Sequence, residues 1–271
     1  MGSNKEITFC LMTCGEETEQ QCLQHIEPFR DKIVLQEVRN VFPQIKALNQ
    51  MLTQVQTEYL VPLDADMILE KRAYRRIRRA IDENVRDPNW HSILFPLYDT
   101  LTEKRILALK VLRSKIMKQH LFAESATPDV EHFRRLTNAG YRCITRYLEG
   151  KPIGNHVVKG AHFCYNKYRD VYQTLRSHGY EWDSGAFMGG DTAMEKSKCH
   201  FDYFLYKYGL TQNKDYLYCI AGMVDGLTSP VEHKSKTLKR EKFKVPLHTA
   251  IDEYMAWHKA ESAKISSLAL F

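Results

Sequence analysis

The sequence predicts an α/β fold, a mainly parallel sheet with helices on both faces, and three observations predict it. Apolar, β-branched runs at 7–13, 32–38 and 59–63 alternate with helical segments of about ten to fifteen residues, the pattern of crossover units that only a parallel sheet requires. With 271 residues, 44% hydrophobic and 27% charged, the chain has the apolar material for a sizeable core, and 13 Gly and 9 Pro exclude collagen-like or wholly disordered readings. No internal repeat, low-complexity tract or Gly/Ser linker divides it, so residues 1–271 are expected to form one domain.

The elements follow in order. Ile7 to Thr13 reads as a buried strand that ends in the loop Cys14-Gly15-Glu16-Glu17. A polar helix from Glu16 to Phe29 leads to a strand at Lys32 to Val38. Pro43 then opens a helix with Ile45, Leu48, Leu52 and Val55 at helical spacing. The third strand is Tyr59 to Leu63. Glu70 to Val85 reads as a helix with Ala73, Ile77, Ala80 and Ile81 on one face and Arg72, Arg75, Arg76, Arg78 and Arg79 largely elsewhere, followed by a strand from His91 to Tyr98. From Asp99 to Gly150 the pattern turns charged and helical, with Leu109, Leu112 and Ile116 as its apolar stripe, and predicts a helical insertion. Strand character resumes at Val157 to Tyr165. A helix covers Lys167 to His178, another follows the Gly189-Gly190-Asp191 turn, and an amphipathic C-terminal helix starts near Pro246 with Leu247, Ile251, Tyr254 and Met255. The expected layout is thus a first half at 7–99, a helical insertion at 100–150, a second half at 151–235, and a basic segment with the terminal helix at 236–271.

The formal charge of +6 favours anionic partners without choosing among them. The seven cysteines are odd in number and contain no C-x-x-C pair, which argues against a disulfide framework or a zinc ribbon and for a reducing compartment. No run approaches the roughly 18 apolar residues of a membrane span. Met1 to Glu6 lacks the apolar centre of a signal peptide, and Glu6 stands where a myristoylation pattern wants Ser or Thr. The expected location is the cytoplasm, with peripheral contact at the inner face of a membrane as a second option through the arginine-rich helix.

The chemistry concentrates at Tyr59-Leu-Val-Pro-Leu-Asp64-Ala65-Asp66-Met-Ile-Leu69, where an apolar strand delivers two carboxylates at its carboxyl end, the edge at which open α/β sheets bind ligands. Carboxylates at i and i+2 on extended chain share a face and suit one hard cation with the phosphates it holds. A bare pair of this kind also serves to cap the next helix, and Asp191 after two glycines is equally placed for an N-cap. Lys234, Lys236, Lys239, Arg240, Lys242 and Lys244 read either as cations over a diphosphate or as a solvated segment. Trp182 beside Asp183 either stacks on a sugar or packs at a loop edge.

On these residues the chain resembles the GT-A (Rossmann-like) glycosyltransferases, family 2 type. Ala47-Leu48-Asn49 with Thr57-Glu58-Tyr59-Leu60 is similar to the family's helix and the lead into its D-x-D strand. Lys159-Gly160-Ala161 with Tyr180 to Asp191 is similar to its acceptor segment, and Val231-Glu232-His233 to its late histidine. The match spans about Ile7 to His233. This chain reads Gly189-Gly190-Asp191 where the family has Gly-Glu-Asp, and Gln36-Glu37 stands nearest to the family's base-binding Asp on the second strand. The resemblance implies an inverting transfer of a sugar from a nucleoside-diphosphate donor to a hydroxyl acceptor (glycan, lipid-linked or protein), as in surface glycan synthesis, with no nucleic-acid partner. It places Thr13, Cys14, Gly15, Glu16, Asn49, Asp64, Ala65 and Asp66 at the donor. Asp64, Asp66 and His233 would hold Mn2+ or Mg2+, and Asp191 would act as catalytic base. Two other readings stay open: a catalytically silent glycan- or anion-binding module on the same fold, and a sugar-nucleotide pyrophosphorylase, for which Cys14-Gly15-Glu16-Glu17 lacks the Gly-rich phosphate loop.

Overall fold

Alternation along the first strand decides where the helices go. In the computed structural model, which describes residues 5–125, 128–146, 150–177, 193–229 and 256, strand β1 is Ile7–Thr13. Its Ile7, Phe9 and Leu11 point into one core together with Cys22 and Ile26 of helix α1 (Glu19–Ile26). Cys10 points the other way, into a second core with Ala47, Leu48, Met51 and Leu52 of helix α2 (Gln44–Gln54). Strand β2 is Val34–Arg39 and strand β3 is Tyr59–Asp64. Tyr59, Val61 and Leu63 of β3 join the first core and Leu60 the second. Helix α3 (Ala73–Asn84), entered from the short strand β4 (Met67–Leu69), adds Ala73, Ile77, Ala80 and Ile81 to the first core. Each Ile, Leu, Val, Phe or Met side chain among them stabilises the fold by ~1.5–3 kcal/mol when fully buried. Helices therefore cover both faces, as period-two strands with two apolar faces demand.

The sheet has eight strands. Strand β5 is Trp90–Asp99, β6 is Lys104–Arg113, β7 is Arg142–Thr145 and β8 is Gly154–His156. The order is β2-β1-β3-β6-β5-β8-β4, with β7 on the same edge of β5 as β8 but along its first half. Parallel pairings outnumber antiparallel ones: β1 with β2 and β3, and β5 with β7 and β8, are parallel, whereas β6 runs antiparallel to both β3 and β5, and β4 antiparallel to β8. Two reversals across β6 make β5 parallel to β3. The carboxyl ends of β1, β2, β3, β5 and β8 consequently share one edge of the sheet.

Two expectations need correction. The segment 100–150 is not a helical insertion: it opens with β6, and helices α4 (Ser114–Gln119) and α5 (Pro128–Asn138) precede β7. A bulge opposite Phe95 and Pro96 inserts one residue into β6 and reverses its alternation, so Ile106 and Ala108 before it and Leu109 and Val111 after it all face the first core. That broken period imitates helical spacing. The strand expected over Val157 to Tyr165 is instead β8 followed by helix α6 (Ala161–Ser177), whose buried Cys164, Tyr165, Tyr168, Tyr172 and Leu175 repeat every three to four residues.

The chain divides into two compact units, Met1–Val158 and Lys159–Phe271. In the second, α6 is followed by α7 (Ala193–Thr211) and by α8 (Asp215–Thr228), which the sequence reading did not anticipate. Helix α8 meets α6 at Gly222, where a Cβ would sit 2.0 Å from the Tyr165 carbonyl oxygen, and the Tyr165 hydroxyl donates to Asp225. No helix among the described residues is long and apolar enough to cross a membrane. The Gly189-Gly190-Asp191 turn, Trp182, the basic stretch from His233 to Lys244 and the helix expected from Pro246 lie outside the described residues.

Candidate active site

The common carboxyl edge gathers the acidic groups. Asp64 closes β3 opposite Met12 of β1, and the Ala65 N–H donates to the Met12 carbonyl at 3.1 Å. That bond turns the chain out of β3 and back into the sheet as β4, so that buried Ala65 separates Asp64 from Asp66. The Asp64 carboxylate is only partly buried and accepts no hydrogen bond from the described residues. Burial first, and then the neighbouring charge of Asp66, raise its carboxyl to about 6, against the opposing pull of Lys110 and His156. Lys110, on β6, lies 2.7 Å from Asp129 of α5; burial works against its charge, but Asp129 and Asp64 outweigh that and hold the ammonium above its ordinary range.

Asp66 has a different environment. Strand β8 lies between β4 and β5, with His156 opposite both Met67 and Asp99. The His156 Nε2 lies 3.0 Å from Asp66 Oδ2, and its Nδ1 lies 2.6 Å from Asp99 Oδ2. Asp99 is in turn fixed by its other oxygen, which accepts from the Leu101 N–H at 3.0 Å, the Thr102 N–H at 2.6 Å and the Thr102 hydroxyl at 2.8 Å. Asp66, His156 and Asp99 are only 5%, 8% and 6% exposed. The approach of β8 to β4 that makes this chain possible requires glycine at 154, since a Cβ there would lie 2.5 Å from the Ile68 carbonyl oxygen.

Sequence reasoning missed both His156 and Asp99. For Asp99 a signal existed, a carboxylate closing a strand just as Asp64 does. For His156, one of 11 histidines in a short strand, there was none.

The loop after β1 uses its polar groups internally. Gly15 adopts φ 83°, a left-handed conformation that glycine takes without strain. The Glu16 carboxylate accepts the Cys14 N–H at 2.9 Å, and the Thr13 hydroxyl lies 2.7 Å from an oxygen of each of Glu16 and Glu19 while accepting the Gly15 N–H at 2.9 Å. Arg39 at the end of β2 pairs with Glu19 at 2.7 Å and with Glu37 at 2.6 Å. Asn49 of α2 uses both ends of its amide on the main chain of Phe122, at 3.0 and 2.9 Å. Cys22 and Cys10 behind the acidic edge are pushed up to about 12 by burial and by the nearby carboxylates, so neither is a ready nucleophile.

The donor set fits a hard divalent cation as far as it extends. Asp64 and Asp66 offer carboxylate oxygens, and the raised Asp64 carboxyl marks a concentration of negative charge that a cation would relieve. No group of three or more His, Cys, Asp or Glu side chains able to hold a metal occurs among the described residues. Diphosphate oxygens, water or residues beyond the described set would complete the shell, as octahedral Mg2+ commonly requires. His233 and Asp191 belong to the undescribed part.

No family model matches the chain, and no curated protein does. Among solved structures it is similar to the mannosyltransferase PcManGT from Pyrobaculum calidifontis in complex with GDP-Man and Mn2+, at 14% identity and TM-score 0.48, over 98% of this chain and 81% of that one. It is similar to S. aureus TarS 1–349 at 13% identity and TM-score 0.42, over 97% and 92% of the two chains. A third is glucosyl-3-phosphoglycerate synthase from Mycobacterium tuberculosis in complex with Mn2+, UDP and phosphoglyceric acid, at 13% identity and TM-score 0.46, over 68% and 81%.

Proposed function

We propose that this chain is a divalent-cation-dependent, inverting glycosyltransferase that moves a sugar from a nucleoside-diphosphate donor to a hydroxyl acceptor. The observation that carries the reading is the carboxylate pair at the sheet's carboxyl edge: Asp66 anchored through His156, and Asp64 beside it with no hydrogen bond from the described residues and a carboxyl raised to about 6. A carboxylate partly withdrawn from water beside a second one is unfavourable, so the pair makes chemical sense where a positive charge is recruited.

Asp64 and Asp66 would hold Mn2+ or Mg2+, with His233 as a further ligand in the sequence-based reading. The bound ion would supply charge to offset the departing diphosphate. The β1 loop, Thr13 to Glu16, borders this edge and would receive the nucleotide, with Ala65 presenting main chain between the two carboxylates. Asp191 would take the proton from the acceptor hydroxyl, a contribution of ~10²–10⁴-fold for a positioned base.

The test is a screen of UDP, GDP and dTDP sugars with Mn2+ or Mg2+, read as released nucleoside diphosphate. Release is expected with one donor class and should fall by about 10²–10³-fold in Asp66→Ala. Binding of nucleotide and cation with no release from any donor, with or without acceptors, would instead establish a silent binding module.

A further inference from the structure

We infer that His156, tethered by Asp99, is a positioning residue that fixes how Asp66 meets the cation. The inference rests on the glycosyltransferase reading only in taking Asp66 as a ligand. Three features of the site carry it. The chain Asp66–His156–Asp99 is continuous, at 3.0 and 2.6 Å, and buried throughout. Its far end is immobile, because three donors from Leu101 and Thr102 hold Asp99. Its near end engages Oδ2 of Asp66 and so sets the orientation of that carboxylate.

A purely structural explanation fits poorly. Replacing buried ionisable groups by apolar ones of similar size is often neutral or stabilising, and the neighbouring contacts of β4 with β8 are closed with apolar Met67, Ile68 and Leu69. Two carboxylates and an imidazole placed in that apolar setting are costly unless they orient something. Carboxylate ligands of metals are typically oriented by hydrogen-bonded neighbours, and loss of such a neighbour weakens metal affinity by ~10–100-fold. Asp64, which no described residue holds by a hydrogen bond, is the contrasting case: one ligand is set in advance and the other adapts to the ion.

The experiment measures Mn2+ binding to the full chain by the electron paramagnetic resonance signal of free Mn2+. It compares wild type, His156→Leu, His156→Gln, Asp99→Asn and Asp64→Ala, with thermal melting of each. His156→Leu is expected to weaken Mn2+ binding by ~10–100-fold and to lower the melting temperature, since it leaves the Asp66 and Asp99 carboxylates buried without their shared partner. His156→Gln, which keeps an N–H for Asp66, should recover part of the affinity, and Asp99→Asn should fall between wild type and His156→Leu. If His156→Leu does not fold, the Gln and Asn variants decide the matter by the same ordering.

Wild-type affinity in every His156 and Asp99 variant, with binding lost in Asp64→Ala, would overturn the inference and leave the functional reading standing. A wild type that binds no Mn2+, either alone or with UDP or GDP present, would overturn both. Electron spin-echo modulation supplies the last discriminator: a directly bound imidazole nitrogen that disappears in His156→Leu would make His156 a ligand and end its assignment as a positioning residue.

Discussion

The ends of β1 and β3 lie side by side, Met12 opposite Asp64, and they treat their carboxylates in opposite ways. After β1, Glu16 folds back onto the Cys14 N–H and the Thr13 hydroxyl, and Glu19 is paired with Arg39. Each of these charges is matched within a few residues of loop or by the adjoining strand. After β3, Asp64 accepts nothing from the described residues and Asp66 is gripped through one oxygen by a histidine that reaches in from β8. The density of acidic residues is similar at both ends. What separates a loop brace from a ligand site is whether the carboxylate's acceptor capacity is already satisfied, and whether its charge is held against its preference.

The largest expected effect comes from removing the fixed member of the pair. Asp66→Ala should lower turnover by about 10²–10³-fold, the scale seen when one preorganised electrostatic group is lost, and steady-state release of nucleoside diphosphate checks it. A variant that kept most of its rate would place the chemistry elsewhere.

Next in size is an effect of opposite sign on stability. The Asp64 carboxyl is raised from its ordinary 3.8 to about 6 in the folded chain, so the native state binds a proton more tightly than the unfolded one does. Its contribution to stability is therefore fully present below about pH 4 and is lost as pH rises through about 6. Asp64→Asn carries no such charge and should be more stable than wild type at pH 7 in the absence of metal, by about 1–2 kcal/mol once partial exposure is allowed for. Melting curves at pH 4 and pH 7 without metal should show the gain only at the higher pH. A uniform gain at both would mean that packing, not charge, is responsible.

How much of this could be read in the sequence follows from how local each feature is. Strands β1, β2, β3 and β5 and helices α2 and α3 were visible because each carries its own period and its own breakers, such as Pro43 before α2 and Cys14-Gly15 after β1. Asp64 and Asp66 were visible because they close an unmistakably apolar run. Strand β6 was hidden by its bulge, which destroyed the alternation that would have revealed it. His156 was hidden for a deeper reason: its partners lie at positions 66 and 99, brought together only when β8 inserts between β4 and β5. No pattern within a short window encodes such a contact.

The smallest effect is the one that most directly separates the two strand ends. Glu16→Ala removes the acceptor for the Cys14 N–H and one partner of the Thr13 hydroxyl, contacts that involve a charged group at a partly exposed position. Their loss should cost about 1–2 kcal/mol of stability, visible as a lower melting temperature. Mn2+ affinity should nevertheless stay within about threefold of wild type, because the Glu16 carboxylate is held by the Cys14 N–H and the Thr13 hydroxyl and acts on Asp64 only as a lesser charge, behind burial, Asp66, Lys110 and His156. Should Mn2+ binding instead fall as far as it does in Asp64→Ala, the carboxylates of β1 and β3 would constitute one continuous acidic site. The Glu16 contacts with its own loop would then describe only the metal-free state, and the brace would itself be a ligand awaiting its ion.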